Sequence, residues 1–324
     1  MRAFGAGAMA GLLIATTLAA ATPGRAEDYP NRPIRVLIGF VAGSGADVSA
    51  RVIGARMSAL LGQQIVVENK PGAGSSLAAE AVARAPKDGY TLLMSNISQT
   101  INPAVMKGLG FDFVRDFTPI CLVITIPNLL VVHPSLGVKS VSELIALAKA
   151  KPDSLTFGSS GVATSTHLSA EWLKVMTGVK MVHVPYQGSP QAVTDLLANR
   201  IQVLFSPIST VIQHVQAGQL VALATTEARR SAIAPGIPTM IESGLPDFET
   251  GLWFGLLAPA GTPHAIVDKL ADAANEALKS EDVKRALAPQ GIDVTGGTPE
   301  QFAHYIDREM KRWDLVAQAA GLKK

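Results

Sequence analysis

Short apolar runs and amphipathic runs alternate along most of this chain, and the period of each run predicts its element. The stretch IRVLIGF (Ile34–Phe40) is almost continuously apolar and rich in branched residues, the composition of a strand buried on both faces of a parallel sheet. The next run places Val48, Val52, Ala55 and Ala59 on one helical face. QQIVVEN then reads as a strand, GSSLAAEAVARA as a helix and YTLLMSN as a strand. A second series starts with the helical SVSELIALAKA, where Ser140 and Glu143 have capping-box spacing. It continues with strand LTFGS, helix THLSAEWLKVMTG, strand MVHVPY, helix SPQAVTDLLANR, strand IQVLFS and helix STVIQHVQAG. Three helical runs close the chain: AIVDKLADAANEAL, SEDVKRALAPQG and PEQFAHYIDREMKRWDLVAQAAG. Such alternation predicts an α/β fold with a mostly parallel sheet. Two strand series predict two similar lobes rather than one large sheet.

Two extended stretches read as crossings between those lobes. One lies near 119–134 (PICLVITIPNLLVVHP), too long for one ordinary strand, and the other near 220–226 (LVALATT). If both cross, residues 27–124 and 227–324 form a first lobe holding both ends of the exported chain, and 125–226 form a second lobe inserted between them. Paired crossings make a hinge, and a hinge between lobes makes a cleft that closes.

The amino-terminal residues and the composition bound the function. Arg2, an apolar run from Ala8 to about Ala21, and then Pro23, Gly24 and Ala26 have the order of a secretory signal peptide cleaved near Ala26. The run is shorter than the roughly 20 apolar residues of a membrane span, so residues 27–324 are expected in the periplasm. The net charge of +2 is spread without a basic stripe, which argues against nucleic acid. The single cysteine, Cys121, has no partner for an internal disulfide and sits in an apolar run. Its reading is a buried small hydrophobe.

In α/β sheets ligands bind at the carboxyl ends of strands, where helices begin. Five such junctions occur here: FVAGSGAD, SNISQT, FGSSGVATSTH, VPYQGSP and FSPIST. All are rich in Gly, Ser or Thr and none contains Lys or Arg, yet helix amino termini bind anions through unpaired N–H groups and a partial positive charge. Asp47 is expected either to cap the first helix or to orient a ligand or its water, since a carboxylate repels an anion at short range. A dinucleotide site is disfavoured, because the third glycine of G-x-G-x-x-G would fall at Val48 and only Glu68 offers an acid for a ribose. GSSGV (Gly158–Val162) lacks the second glycine of a hydrolase elbow. The six histidines show no H-E-x-x-H pairing. No nucleophile–base couple, metal site or cofactor motif emerges.

The order and spacing of YPNRPIRVLIGFVAGSGADVSAR, VVENKPGAGSSLAAEAVARAPKDGYTLLM, INPAV, DFTPI, FGSSGVATSTHLSAE, VPYQGSPQAVTDLLANRIQVLF and PGIPTMIESG resemble one family. It is that of the extracytoplasmic solute-binding receptors of tripartite tricarboxylate transporters, the Bug or TctC-like family. The resemblance covers nearly the whole exported chain and implies a two-lobed, type II periplasmic-binding-protein fold with two extended hinge crossings, closing on a small carboxylate. It implies a receptor without catalysis or cofactor, a monomer whose partner is a membrane permease.

Carried over by motif, Phe40, Gly43, Ser44, Gly45 and Asp47 form a first-lobe ligand loop, joined by Ser95 and Gln99. Ser159, Ser160, Thr164 and His167 line the opposite lobe with Tyr186, Gly188 and Ser206; Tyr186 reads equally as strand-end packing. Where relatives commonly have an aspartate after the strand phenylalanine, Phe205 is followed by Ser206. An ammonium group then lacks one partner, which favours a dicarboxylate, tricarboxylate or aromatic carboxylate over an amino acid. Two other readings stand beside transport: a receptor that signals to a sensor kinase, and an exported enzyme on the same fold. A transcription-factor effector domain shares the fold but would need a DNA-binding helical module where this chain begins with a signal peptide.

Overall fold

The structure, a computed structural model, describes residues 29–231 and 233–323. The expected signal peptide and its cleavage point lie outside the described residues. Among the described residues no helix is long and apolar enough to cross a membrane.

Strands β1 (Ile34–Ile38), β2 (Ile65–Asn69) and β3 (Thr91–Asn96) pair in parallel, with β1 in the middle. Helices α1 (Gly45–Leu61), α2 (Ser76–Ala83) and α3 (Ile97–Val105) follow them in turn. The chain then enters β4 (Phe117–Val132), one strand of 16 residues. Beyond it come α4 (Val141–Ala150), β5 (Thr156–Ser159), α5 (Ser165–Thr177), β6 (Val182–Pro185), α6 (Ser189–Leu197), β7 (Val203–Pro207), α7 (Ile208–Gln216) and β8 (Val221–Thr225). The chain returns through β9 (Gly251–Pro259) to α8 (His264–Lys279), α9 (Glu281–Leu287), β10 (Asp293–Val294) and α10 (Pro299–Ala319).

Burial explains the apolar runs. Along β4, Leu129 and Val131 enter one core with Leu204, Ala192 and Val211, whereas Leu130 and Val132 enter another with Phe157, Phe205 and Leu144. Both faces of the strand are covered, so no polar alternation survives in its sequence. In the first lobe Val36 and Ile38 pack against α1 and α8 on one face, while Leu37 and Leu93 pack against α2, α3 and α10 on the other. The α1 stripe is Ala46, Ala50, Ile53 and Met57, and Gly62 ends that helix at a left-handed φ of 69°.

Two expectations are corrected. The sheet is mixed, not mostly parallel: β4 runs antiparallel to β7, β8, β9 and β10, and β3 antiparallel to β9. Nor are there two separate sheets, because β4 pairs with β9 through Pro127 and with β7 from Asn128 onward, joining both halves in one hydrogen-bonded path. Past the expected return to the first lobe at 227, Ala234, Met240 and Phe248 bury in cores with second-lobe residues, and Phe248 stacks on Phe205 with centroids 6.0 Å apart. Sequence reading passed over β9, whose apolar stretch follows a long loop without a flanking repeat.

Candidate functional site

Strand register shows where the junctions converge. Pro127 pairs with Gly251 and Asn128 with Pro207, so the sheet changes lobes between them. The carboxyl end of β3 reaches the level of Ile124, through Asn96 opposite Phe254. In the second lobe Gly158 pairs with Leu204, itself opposite Val131. The carboxyl ends of β1 and β3 therefore point at the switch from one lobe, and those of β5 and β7 from the other.

The first-lobe loop is held by its own polar groups. Gly39 lies so close to Ser75 that a Cβ there would come within 2.2 Å of the serine Cβ. Phe40 meets Phe254 edge-on at 5.6 Å, and Gly43 takes a left-handed φ of 80°, a conformation that favours glycine. Ser44 is the helix cap, its hydroxyl accepting from the Asp47 N–H at 3.3 Å. Asp47 does not cap. Its Oδ2 accepts from the Gly43 N–H at 2.9 Å, and its Oδ1 accepts from Arg51 Nε and Asn69 Nδ2, each at 3.0 Å. The bonded Arg51, then the Gly43 N–H and Asn69, hold this carboxyl well below the usual range, at about 2. A helix leaves its first four N–H groups without internal partners. Ser44 takes the one at Asp47, and the Val48 N–H reaches the Ser44 carbonyl. The N–H groups of Gly45 and Ala46 are the ones these bonds leave over.

The second-lobe loop repeats the device. Thr164 caps α5, accepting from the His167 N–H, which leaves the N–H groups of Ser165 and Thr166. The Ser160 N–H donates to Thr166 Oγ1 at 2.9 Å, and Thr164 Oγ1 donates to the Gly161 carbonyl at 2.7 Å. Ser159 Oγ lies 2.7 Å from His183 Nε2 and 3.2 Å from the Gly161 nitrogen, which donates to it. His183 in turn stacks on His167, with ring centroids 3.9 Å apart. Burial depresses both imidazoles to about 4, helped by Lys174 at His167 and by His167 at His183. His167 Nδ1 accepts from the Ala163 N–H at 3.1 Å, so this ring is a loop brace rather than a free base.

The sequence-derived candidates thus divide. Phe40, Gly43, Ser44, Gly45, Ser160, Thr164, Tyr186 and Gly188 retain exposure on the junctions. Ser95 and Gln99 are fully buried: Gln99 Oε1 accepts from the Asn96 N–H at 2.8 Å, closing a capping box on α3. Ser159 and Ser206 are fully buried too, and His167 is 4% exposed. Tyr186 donates its hydroxyl to Asp195 at 2.8 Å and contributes its ring to an apolar core, which favours packing.

Sequence reading missed a polar belt at the lobe switch. The Asn128 N–H donates to Thr226 Oγ1 at 3.0 Å, its Nδ2 donates to Ser169 Oγ at 3.4 Å, and Ser169 Oγ lies 2.8 Å from Thr250 Oγ1. The one signal was an asparagine inside an apolar crossing. Among the described residues Asn128 Oδ1, Ser206 Oγ and Thr225 Oγ1 are buried without a hydrogen-bond partner. Ser206 and Thr225 both stand opposite Leu129, an unusual concentration of such groups at one point. A separate crevice of about 740 Å³ lies between the crossing segments and α10, lined in part by Thr125, Glu227, Asp293, Tyr305 and Arg308. None of the predicted ligand residues lines it. No group of three or more His, Cys, Asp or Glu among the described residues forms a metal site.

Comparison with known proteins places this architecture. Residues 49–322 match the family described as "Tripartite tricarboxylate transporter family receptor". The chain is 36% identical to protein BugT of Bordetella pertussis over 318 residues, 98% of this chain and 97% of that one. Among solved structures, R. palustris Rpa4515 with adipate is 36% identical, with a TM-score of 0.71 over 91% of this chain and 99% of that one. MatC (Rpa3494) of Rhodopseudomonas palustris with bound malate is 32% identical, with a TM-score of 0.67 over 89% and 99%. A TctC solute-binding protein from Polaromonas without ligand is only 27% identical, yet reaches a TM-score of 0.84 over 90% and 99%.

Proposed function

We propose that this chain, which belongs to the tripartite tricarboxylate transporter receptor family, captures a small carboxylate in the cleft between its lobes and delivers it to a membrane permease. The family has a mixed α/β periplasmic-binding-protein fold and consists of receptors, not enzymes. One observation carries the proposal. Two hydroxyl-capped helices, α1 from one lobe and α5 from the other, begin at junctions aimed at the lobe switch, and neither junction has a cationic side chain. Backbone N–H groups are then the anion's main donors. Micromolar affinity needs about −8 kcal/mol. A few N–H bonds to a carboxylate, at about 1.5–3 kcal/mol each, are of the right size once closure costs are met.

Relatives bound to adipate and to malate support a carboxylate as cargo. A rotation between lobes lowers a whole-chain score even where each lobe superposes. The higher score against the ligand-free relative, despite its lower identity, therefore supports an arrangement of the lobes nearer to that relative's than to those of the adipate- and malate-bound ones. The test is a thermal-shift screen of residues 27–324 with dicarboxylates, aromatic carboxylates and amino acids, followed by calorimetry and an assay for turnover. A saturating shift with carboxylates and no product is the expected result. Turnover, or shifts with amino acids alone, would sink it.

A further inference from the structure

We infer that the ligand is a carboxylate with an apolar body and no ammonium group, and that Val41 and Val162 are the side chains that select it. This deepens the carboxylate-receptor reading and rests on it. Among the described residues four large apolar side chains are more than half exposed: Val114 at 65%, Val41 at 61%, Val162 at 56% and Leu315 at 55%. Exposed apolar residues scattered singly need no explanation. Two of these four, however, stand on the two anion-binding junctions, one in each lobe. Val41 lies between Phe40 and Gly43, and Val162 two residues before the Thr164 cap. The neighbouring Ala163 already packs on the first-lobe core that contains Ile97 and Trp253, so the Val162 loop stands at the boundary between lobes. Closure on a ligand takes both valines out of water, and that gain is available only to a ligand that presents apolar surface to them.

The polar groups of the junctions point the same way. Asp47 is the one charged residue of the five junctions, and its oxygens are committed to Gly43, Arg51 and Asn69, so no free carboxylate awaits an ammonium. Among the second-lobe hydroxyls, Ser159 bonds His183 and Gly161, Thr164 bonds Gly161, and Ser160 and Thr166 lie 2.9 Å apart. A hydroxyl on the ligand body would meet groups already engaged with protein partners, while the unpaired Ser206 hydroxyl is fully buried, and sites discriminate against poorly paired polar groups. What remains for the ligand is backbone N–H for its carboxylates and valine for its body.

Calorimetry on the purified protein with succinate, malate and tartrate, which share a carbon chain and carry successively more hydroxyls, tests the inference. Adipate and terephthalate arms separate an aliphatic body from an aromatic one. Affinity is expected to fall with each hydroxyl, with adipate or terephthalate bound tighter than tartrate. Val41→Thr and Val162→Thr, both at exposed positions and nearly isosteric, should each weaken the best apolar-bodied ligand about three- to tenfold while leaving tartrate unchanged. Unchanged melting temperatures would show that the variants fold. Tartrate bound tighter than succinate, glutamate bound tighter than glutarate, or Val→Thr variants that alter no ligand's affinity or all alike, would overturn this inference and leave the carboxylate receptor standing. No binding of any carboxylate would overturn both.

Discussion

Asp47 and Arg51 stand one turn apart on α1 and form an ion pair, with Arg51 Nη2 2.9 Å from an Asp47 Oδ1 that is almost wholly buried. The acid holds three things at once: the helix through Arg51, strand β2 through Asn69 and the ligand loop through the Gly43 N–H. Stability and loop geometry are therefore coupled at this residue. Asp47→Ala is expected to cost about 1–2 kcal/mol in urea denaturation, given several bonds to one charged group with a solvent-screened partner. Carboxylate affinity should fall with it, and Asp47→Asn should lose less of both. Full affinity in Asp47→Ala would show that the loop does not depend on this anchor.

Glu227 sets an alkaline limit on stability. It sits at the hinge crevice under the Thr125 hydroxyl, which donates to it at 3.1 Å. Burial first, then nearby Asp293, and lastly Glu249, push its carboxyl up to about 8 against the opposing Thr125 bond. A carboxyl raised on folding releases its proton more readily when unfolded. Its contribution is thus intact below the unfolded pKa of about 4.5 and is lost as pH rises through about 8. Glu227→Gln should melt higher than the parent at about pH 9 and nearly the same at about pH 5. Parallel melting curves across that range would refute the assignment.

The stacked histidines set the opposite limit. With both rings held at about 4 in the folded chain, against about 6.5 when unfolded, stability is complete above about pH 6.5 and declines toward pH 4. Imidazole proton resonances of His167 and His183 should titrate well below those of exposed histidines. A midpoint near 6.5 for either would contradict the buried stack. His183→Gln can keep a bond to Ser159 and should bind carboxylate better than His183→Ala.

Glu309 anchors the long carboxyl-terminal helix. Its Oε2 accepts from both Trp253 Nε1 at 3.0 Å and Trp313 Nε1 at 2.9 Å, and Oε1 pairs with Arg312. Removing one partner of a buried ion pair strands the rest, so Glu309→Ala should cost about 3–5 kcal/mol. Tryptophan fluorescence should shift with it. A loss under about 1 kcal/mol would mean that water replaces the carboxylate without penalty.

Much of this protein was legible because helix and strand periods are local. Ile34–Ile38, Thr91–Asn96 and Val203–Pro207 announce themselves by composition, and the small-residue junctions after them follow from the need for a tight turn before a helix. Harder to read were residues whose partners are remote. Asp47 reads either as a cap or as a ligand-orienting group, and its carboxylate is held by Arg51, the Gly43 N–H and Asn69 on β2. Ser95 and Gln99 read as ligand contacts; in the fold both are buried, and Gln99 Oε1 accepts from the Asn96 N–H and the Ser95 hydroxyl. Past the expected return to the first lobe at 227, Met240 and Phe248 are buried in a core with Phe157 and Phe205.

By itself, then, the sequence determined most of the strand–helix alternation, which junctions open helices, and the family. Those properties depend on neighbours within a few residues or on the order of motifs. Only the tertiary structure decided that β4 serves both lobes, that Asp47, Ser159 and Gln99 are already engaged, and that Val41 and Val162 stand exposed on their junctions. Hydrogen-bond partners and exposure are settled by contacts between segments far apart in the chain, and no local pattern encodes them.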